Sequence, residues 1–303
     1  MPLVSTRFLR PLAPFLFVFL WSTGFIGAKF GLPHASPLSF LLVRYALVIG
    51  LMLLIALAWR APWPNDRRQW VHIGISGILL HGLYLGGVFT AISHGLPAGV
   101  TALVVGLQPI LTAFGAGLWL REKVSLWQWL GLALGLGGTT LVLSGNLVWT
   151  GEMAALPLAP MPWSSLLPAL LPAFAALAGI TAGTLYQKRF CPHFDLRSGA
   201  VLQFVPAALL TLVYLLLWED FQVEWTGDFV FALFWLVLVL SIGAISLLNV
   251  LIRSGSAVNV ASLFFLTPPT TALIAWALFG ETLSGVALVG MGIAVTGVYL
   301  SRR

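Results

Sequence analysis

Few residues in this 303-residue chain can do chemistry, because only 8% are charged. The ones that can are set inside long apolar runs. Arg44 interrupts one such run. A guanidinium there can clasp a carboxylate through two parallel hydrogen bonds. It can instead snorkel, since at 1.5 Å per residue it lies about 10 Å along a helix from one end of its run. His81 and Tyr84, three residues apart, share one helix face. His81 titrates near neutrality, so it can relay a proton, bond a solute, or serve as a hydrogen-bonded packing residue. Tyr84 and Trp21 offer an aromatic wall for an apolar or cationic group, or simply pack. Asn249, three residues after Ser246, either meets a solute or ties two helices together.

Prolines form a second group. Gln108 precedes Pro109, and Thr267 precedes Pro268 and Pro269. A proline inside a helix frees the carbonyl four residues earlier. Those carbonyls belong to Val105, Phe264 and Phe265. The sites are bends that line a cavity and flex, or static kinks. Gln108 and Thr267 then provide donors and acceptors beside them. Glu122 and Glu281 each stand three residues before a serine suited to cap the next helix, Ser125 or Ser284, and read as turn residues. Lys29 and Lys188 read as interfacial anchors or as an electrostatic gate at each mouth. The single cysteine, Cys191, excludes an intrachain disulfide. No zinc or phosphate-loop motif occurs, so neither metal nor cofactor is expected.

The elements that position these groups follow from composition. Hydrophobic residues make up 59% of the chain, whereas a soluble domain carries about 25% charged residues. A cytosolic enzyme, a secreted domain and a disordered chain are excluded. Ten apolar runs are legible, near 13–33, 38–59, 70–94, 97–120, 126–144, 165–187, 198–217, 229–252, 256–279 and 283–300. None alternates as a β-strand does, so the expected fold is all-α, with ten transmembrane helices. With the N-terminus inside, 13 of the 15 cations fall on cytoplasmic segments. Both termini are therefore expected in the cytoplasm. No basic stripe suits nucleic acid.

Shifted by 159 residues, the chain aligns with itself without a gap. Gly24 falls on Gly183, Lys29 on Lys188, Pro109 on Pro268, Glu122 on Glu281 and Ser125 on Ser284. Residues 99–141 and 258–300 share 11 identities in 43 positions. Each repeat holds five spans, an odd number, so the second enters the membrane inverted. Such repeats build transporters, with the site near the midplane between halves. The expected division is 11–145 and 165–303, joined by a proline-rich periplasmic linker at 146–164.

The ends of the two halves carry a resemblance. One reads Ala98-Gly99-Val100-Thr101-Ala102, Gln108-Pro109 and Arg121-Glu122-Lys123-Val124-Ser125. The other reads Ala257-Val258-Asn259-Val260-Ala261, Thr267-Pro268 and Gly280-Glu281-Thr282-Leu283-Ser284. With Trp21-Ser22-Thr23-Gly24, Lys29 and Arg44, the chain resembles the EamA-type branch of the drug/metabolite transporter superfamily over nearly its whole length. The resemblance implies a ten-helix inverted fold and export of small metabolites, often amino acids, across a bacterial inner membrane. The expected partners are a small-molecule substrate, the lipid bilayer and, through glycine stripes such as Gly131 and Gly135, a second copy. The rival readings are an intramembrane lipid-modifying enzyme, a non-transporting assembly or sensor subunit and an uptake carrier.

Overall fold

The computed structural model describes residues 6–94, 96, 98–149, 163–280 and 282–303. Apart from short loops, the described chain is helical. In chain order the rods are α1 (Thr6–Gly31), α2 (Pro37–Ala58), α3 (Arg67–Ser93), α4 (98–120) and α5 (Leu126–Trp149), followed by α6 (Trp163–Phe190), α7 (Leu196–Trp218), α8 (Gly227–Ser254), α9 (257–279) and α10 (Gly285–Ser301). Eight of them are long and apolar enough to cross a membrane, and shorter apolar stretches, Leu12–Gly24 and Gly285–Ser301, lie in α1 and α10.

Helix ends follow local chemistry. Asp66, Asp195, Thr226, Ser256 and Ser284 cap α3, α7, α8, α9 and α10 by accepting backbone N–H bonds. Ser125 and Gln128 exchange bonds at the start of α5, Ser125 N to Gln128 Oε1 at 2.9 Å and Gln128 N to Ser125 Oγ at 3.2 Å. The expected linker, 146–164, is narrower at both ends. The apolar residues Leu147-Val148-Trp149 continue α5, and α6 begins at Trp163; residues 150–162 lie outside the described chain.

Four rods are not uniform α-helix. α4 breaks after Val105 and restarts at Gln108, and α9 tightens to a 3₁₀ turn over Leu263–Leu266 before Thr267. Both interruptions immediately precede the prolines, as a missing N–H requires. α3 and α8 each widen to π-helix, over Ile78–Leu83 and Leu236–Ala244. Such segments are uncommon and concentrate at functional sites.

Packing brings the two halves of the chain together. α5 lies along α10, α2 along α7, α3 along α6 and α7, and α1 along α8 and α9. A Cβ on Gly138 would sit 2.6 Å from the Gly290 carbonyl, and one on Gly290 would sit 2.7 Å from the Gly138 carbonyl. Only glycine permits that approach, so these stripes pack within the molecule. Phe40, Tyr45, Phe204 and Phe229 fill one large cluster, and Phe17, Leu132, Leu248 and Phe265 a second.

Candidate functional site

Between these clusters lies a buried polar centre. Arg44 is 2% exposed, so it does not snorkel. Its Nε donates to Ser241 Oγ at 2.9 Å, and its Nη2 has no partner. Ser241 belongs to the π segment of α8, whose widened turn presents it to α2. His81, on the π segment of α3, and Tyr84, just after it, lie within electrostatic reach of Arg44. The His81 ring stacks on Phe204 with centroids 4.1 Å apart and planes 9° apart. Its backbone carbonyl accepts from the Tyr45 hydroxyl at 2.9 Å, while Nε2 is buried without a partner.

Trp21 stands against Tyr84 in a small cluster with Leu80, Ala176, Ile180, Val105 and Phe264. Phe264 meets Trp21 edge-on at 5.2 Å, and Phe17 closes the other side at 5.3 Å. Arg44, His81, Tyr84 and Trp21 thus form one region, with a cationic end and an aromatic end.

The remaining expected residues are placed around it. Gln108, 1% exposed, spends its amide on Thr112 Oγ1 at 3.0 Å and leaves Oε1 unpaired. Thr267, its counterpart 159 residues on, also has an unpaired buried hydroxyl. Pro109 and Pro269 are buried beside them, and Pro268 is half-buried. Thr139 Oγ1 donates to the Phe265 carbonyl at 3.2 Å, which satisfies the group that Pro269 frees.

Asn249 is bonded to Gln187. It ends a buried chain in which Gln203 Nε2 donates to Ser76 Oγ at 3.0 Å and to Gln187 Oε1 at 2.9 Å, and Gln187 Nε2 donates to Asn249 Oδ1 at 2.7 Å. That chain joins α3, α7, α6 and α8. Gln203 is followed in α7 by Phe204, on which the His81 ring stacks, so the network meets the Arg44 region there. Gln203, Gln187, Ser76 and Ser241 were not singled out as site residues by sequence reasoning. One signal was present for Gln203, which is the counterpart of Arg44 in the repeat.

At the Lys188 end of the bundle a third arrangement occurs. Lys188 Nζ lies 3.4 Å from Glu122 Oε1 and donates to the carbonyls of Gly255 and Ile252. Glu122 Oε2 accepts from Ala257 N at 3.0 Å. Both side chains are about four-fifths buried. Glu122 is therefore more than a turn residue, and Lys188 is not a lipid-facing anchor.

A helical, multi-pass membrane protein with a buried polar and aromatic centre between its halves is the class that this fold and site define. A family profile described as the EamA-like transporter family matches twice, over residues 11–144 and 167–303. The chain belongs to that family, and the family is one of transporters rather than enzymes. It is 26% identical to the "Uncharacterized inner membrane transporter YedA" of Escherichia coli (strain K12), over 97% of this chain and 91% of that protein. A "S-adenosylmethionine/S-adenosylhomocysteine transporter" of Chlamydia trachomatis is 27% identical, over 94% and 86%. A "Probable amino-acid metabolite efflux pump" of Salmonella typhimurium is 25% identical, over 94% and 92%. One crystal structure shares the fold with a TM-score of 0.76 at 20% identity, covering 95% of this chain and 94% of that one.

Proposed function

We propose that the chain is an inner-membrane secondary transporter that exports small carboxylate-bearing metabolites, amino acids foremost, by alternating access between two inverted five-helix halves. The observation that carries this reading is Arg44. Its guanidinium is sealed inside the bundle beside an aromatic wall, with one nitrogen unpaired. An unpartnered buried charge of this kind is costly. A substrate carboxylate at Nη2 offsets that cost, and Trp21, Tyr84 and Phe264 receive the rest of the solute. The named solutes of two relatives, an amino-acid metabolite and S-adenosylmethionine, both fit this chemistry.

Helix contacts support the inverted repeat. The pairs α2–α7 and α5–α10 each join repeat counterparts. The contacts of α1 with α8 and α9 match those of α6 with α3 and α4. Even the π segments of α3 and α8 correspond under the 159-residue shift. Charge supports the orientation, with 13 of 15 cations on the face that holds both termini. Lys188 and Glu122 then close the cytoplasmic mouth; Glu281, the repeat counterpart of Glu122, lies outside the described residues.

Counterflow in proteoliposomes with a panel of radiolabelled amino acids tests the reading, with and without a pH gradient. Saturable exchange is expected, falling at least about tenfold in Arg44→Gln, the effect of about 1.4 kcal/mol from one lost charge-assisted bond. A pH-gradient response that vanishes in His81→Ala assigns proton movement to that ring. No exchange across the panel sinks the amino-acid assignment. Exchange that Arg44→Gln leaves intact sinks the site.

A further inference from the structure

The loops at the two ends of the bundle differ. At one end His34-Ala35-Ser36 is zipped to Gln222-Val223-Glu224. Ala35 and Val223 form an antiparallel bridge, with Ser36 N to Gln222 O at 3.1 Å and Glu224 N to His34 O at 2.7 Å. The positions 159 residues away are His193-Phe194-Asp195 and Trp63-Pro64-Asn65. There the same residues line a cleft of about 540 Å³, with Gln69 and Arg253 completing its wall. That volume lies in the range of small-molecule sites.

Arg253 is unusual within this wall. Its Nε and Nη2 are buried and have no hydrogen-bond partner. These two nitrogens form one edge of the guanidinium, the edge that grips a carboxylate or phosphate side-on through two parallel bonds. The Phe194 ring lies 4.0 Å from the guanidinium carbon and fixes its plane. Asp195, the neighbouring acid, is committed elsewhere. Its Oδ1 accepts from Arg197 N and Nε at 2.9 Å, and its Oδ2 from Arg197 Nη2 at 2.7 Å.

We propose that this cleft is a second anion site, separate from the Arg44 centre, which binds the oxyanion of a carboxylate or phosphate on the Nε/Nη2 edge of Arg253. Both nitrogens are shielded from water. Asn65 and Gln69 supply further hydrogen-bond donors along the wall. A soluble metabolite and an anionic lipid headgroup share the required chemistry.

Inorganic phosphate is the probe, followed by 31P line broadening with the full chain in dodecyl maltoside, which contains no phosphorus. Saturable broadening is expected, lost in Arg253→Gln and retained in Arg68→Gln, an exposed arginine at the same end. Gln69→Glu leaves Arg253 in place but adds a carboxylate to the wall, and weakens binding about tenfold. It keeps the test decisive if Arg253→Gln fails to fold. Addition of phosphatidylglycerol that displaces phosphate assigns the site to a lipid headgroup; displacement by succinate alone assigns it to a soluble anion. Arg44→Gln retains the broadening, so failure of the transport reading and failure of this site are separable. Absence of saturable broadening, or broadening in Arg253→Gln and Gln69→Glu that equals the parent's, overturns the proposal.

Discussion

Arg121 and Gly280 end α4 and α9 in the same left-handed conformation, with φ of 57° and 66°. They are 159 residues apart, so the two turns are one turn used twice. Glycine adopts that geometry freely, whereas a residue with a Cβ pays about 1–2 kcal/mol. Arg121→Gly is therefore expected to stabilise the protein by about 1 kcal/mol after glycine's own entropy is deducted. Thermal melting in dodecyl maltoside reads this directly, and a lowered midpoint would contradict it. Asp195 is a second case. Its bonds from Arg197 hold the carboxyl below the usual carboxylate range. Because the folded value is depressed, the stabilisation is complete above the ordinary carboxylate value of about 4 and is lost as pH falls through the folded value. The melting gap between the parent and Asp195→Asn should be constant near neutrality and shrink below about pH 4. A gap that widens on acidification would refute the assignment. At this scale Arg44 was legible as a charge within a span, because it interrupts an apolar run, but not as one sealed inside the bundle rather than snorkelling. Its partner was not. Ser241 is 197 positions away, and no spacing rule connects two side chains that meet only after folding.

Helix boundaries were far more legible than their interior irregularities. Apolar runs located eight of the ten rods to within about three residues at each end, because the bilayer sets a common length, whereas α1 starts seven residues before its run and α5 ends five residues after its own. The proline breaks could also be read, since a missing N–H is a local property. The π segments of α3 and α8 left no mark, because one widened turn does not change an apolar run. The Ser76–Gln203–Gln187–Asn249 chain joins four helices, and its order depends on their packing. Glycine stripes fall between these cases. The sequence marks small residues on α5 and α10 but cannot say which ones carry the contact. In the structure a Cβ on Gly138 would strike the α10 backbone at Gly290 and Ala294, while one on Gly137 meets nothing within 4 Å. Gly138→Ala should destabilise by about 1–3 kcal/mol through overpacking. Gly137→Ala should gain about 0.5–1 kcal/mol from helix propensity. Melting of the two variants side by side checks the crossing, and equal effects would show that α5 and α10 do not meet this way.

On the alternating access proposed above, whole-molecule behaviour turns on how the Lys188 end is held shut. A surface ion pair contributes about 0–1 kcal/mol and is replaceable by any opposite charges. The Lys188–Glu122 pair differs because each partner also serves the backbone where α8 passes into α9. Lys188 reaches the Gly255 and Ile252 carbonyls, and Glu122 takes the Ala257 N–H at the start of α9. The pair therefore senses the relative position of α4, α6, α8 and α9, which makes it a latch. Lys188→Met should release about 1–2 kcal/mol of closure, a shift of about 5–30-fold toward the open form. Val260→Cys, in a Cys191→Ser background, reports that shift, because Val260 lies buried in the first turns of α9. Its labelling by an impermeant maleimide from the Lys188 side should accelerate by that factor. The charge-swapped double variant, Glu122→Lys with Lys188→Glu, separates a latch from a simple ion pair. It restores the attraction but offers an ammonium to the Ala257 N–H and a carboxylate to the Gly255 carbonyl. Both contacts are then repulsive, so labelling should stay fast. Slow labelling in the swapped pair would mean that Coulomb attraction alone closes this mouth and that α8 and α9 move without regard to it.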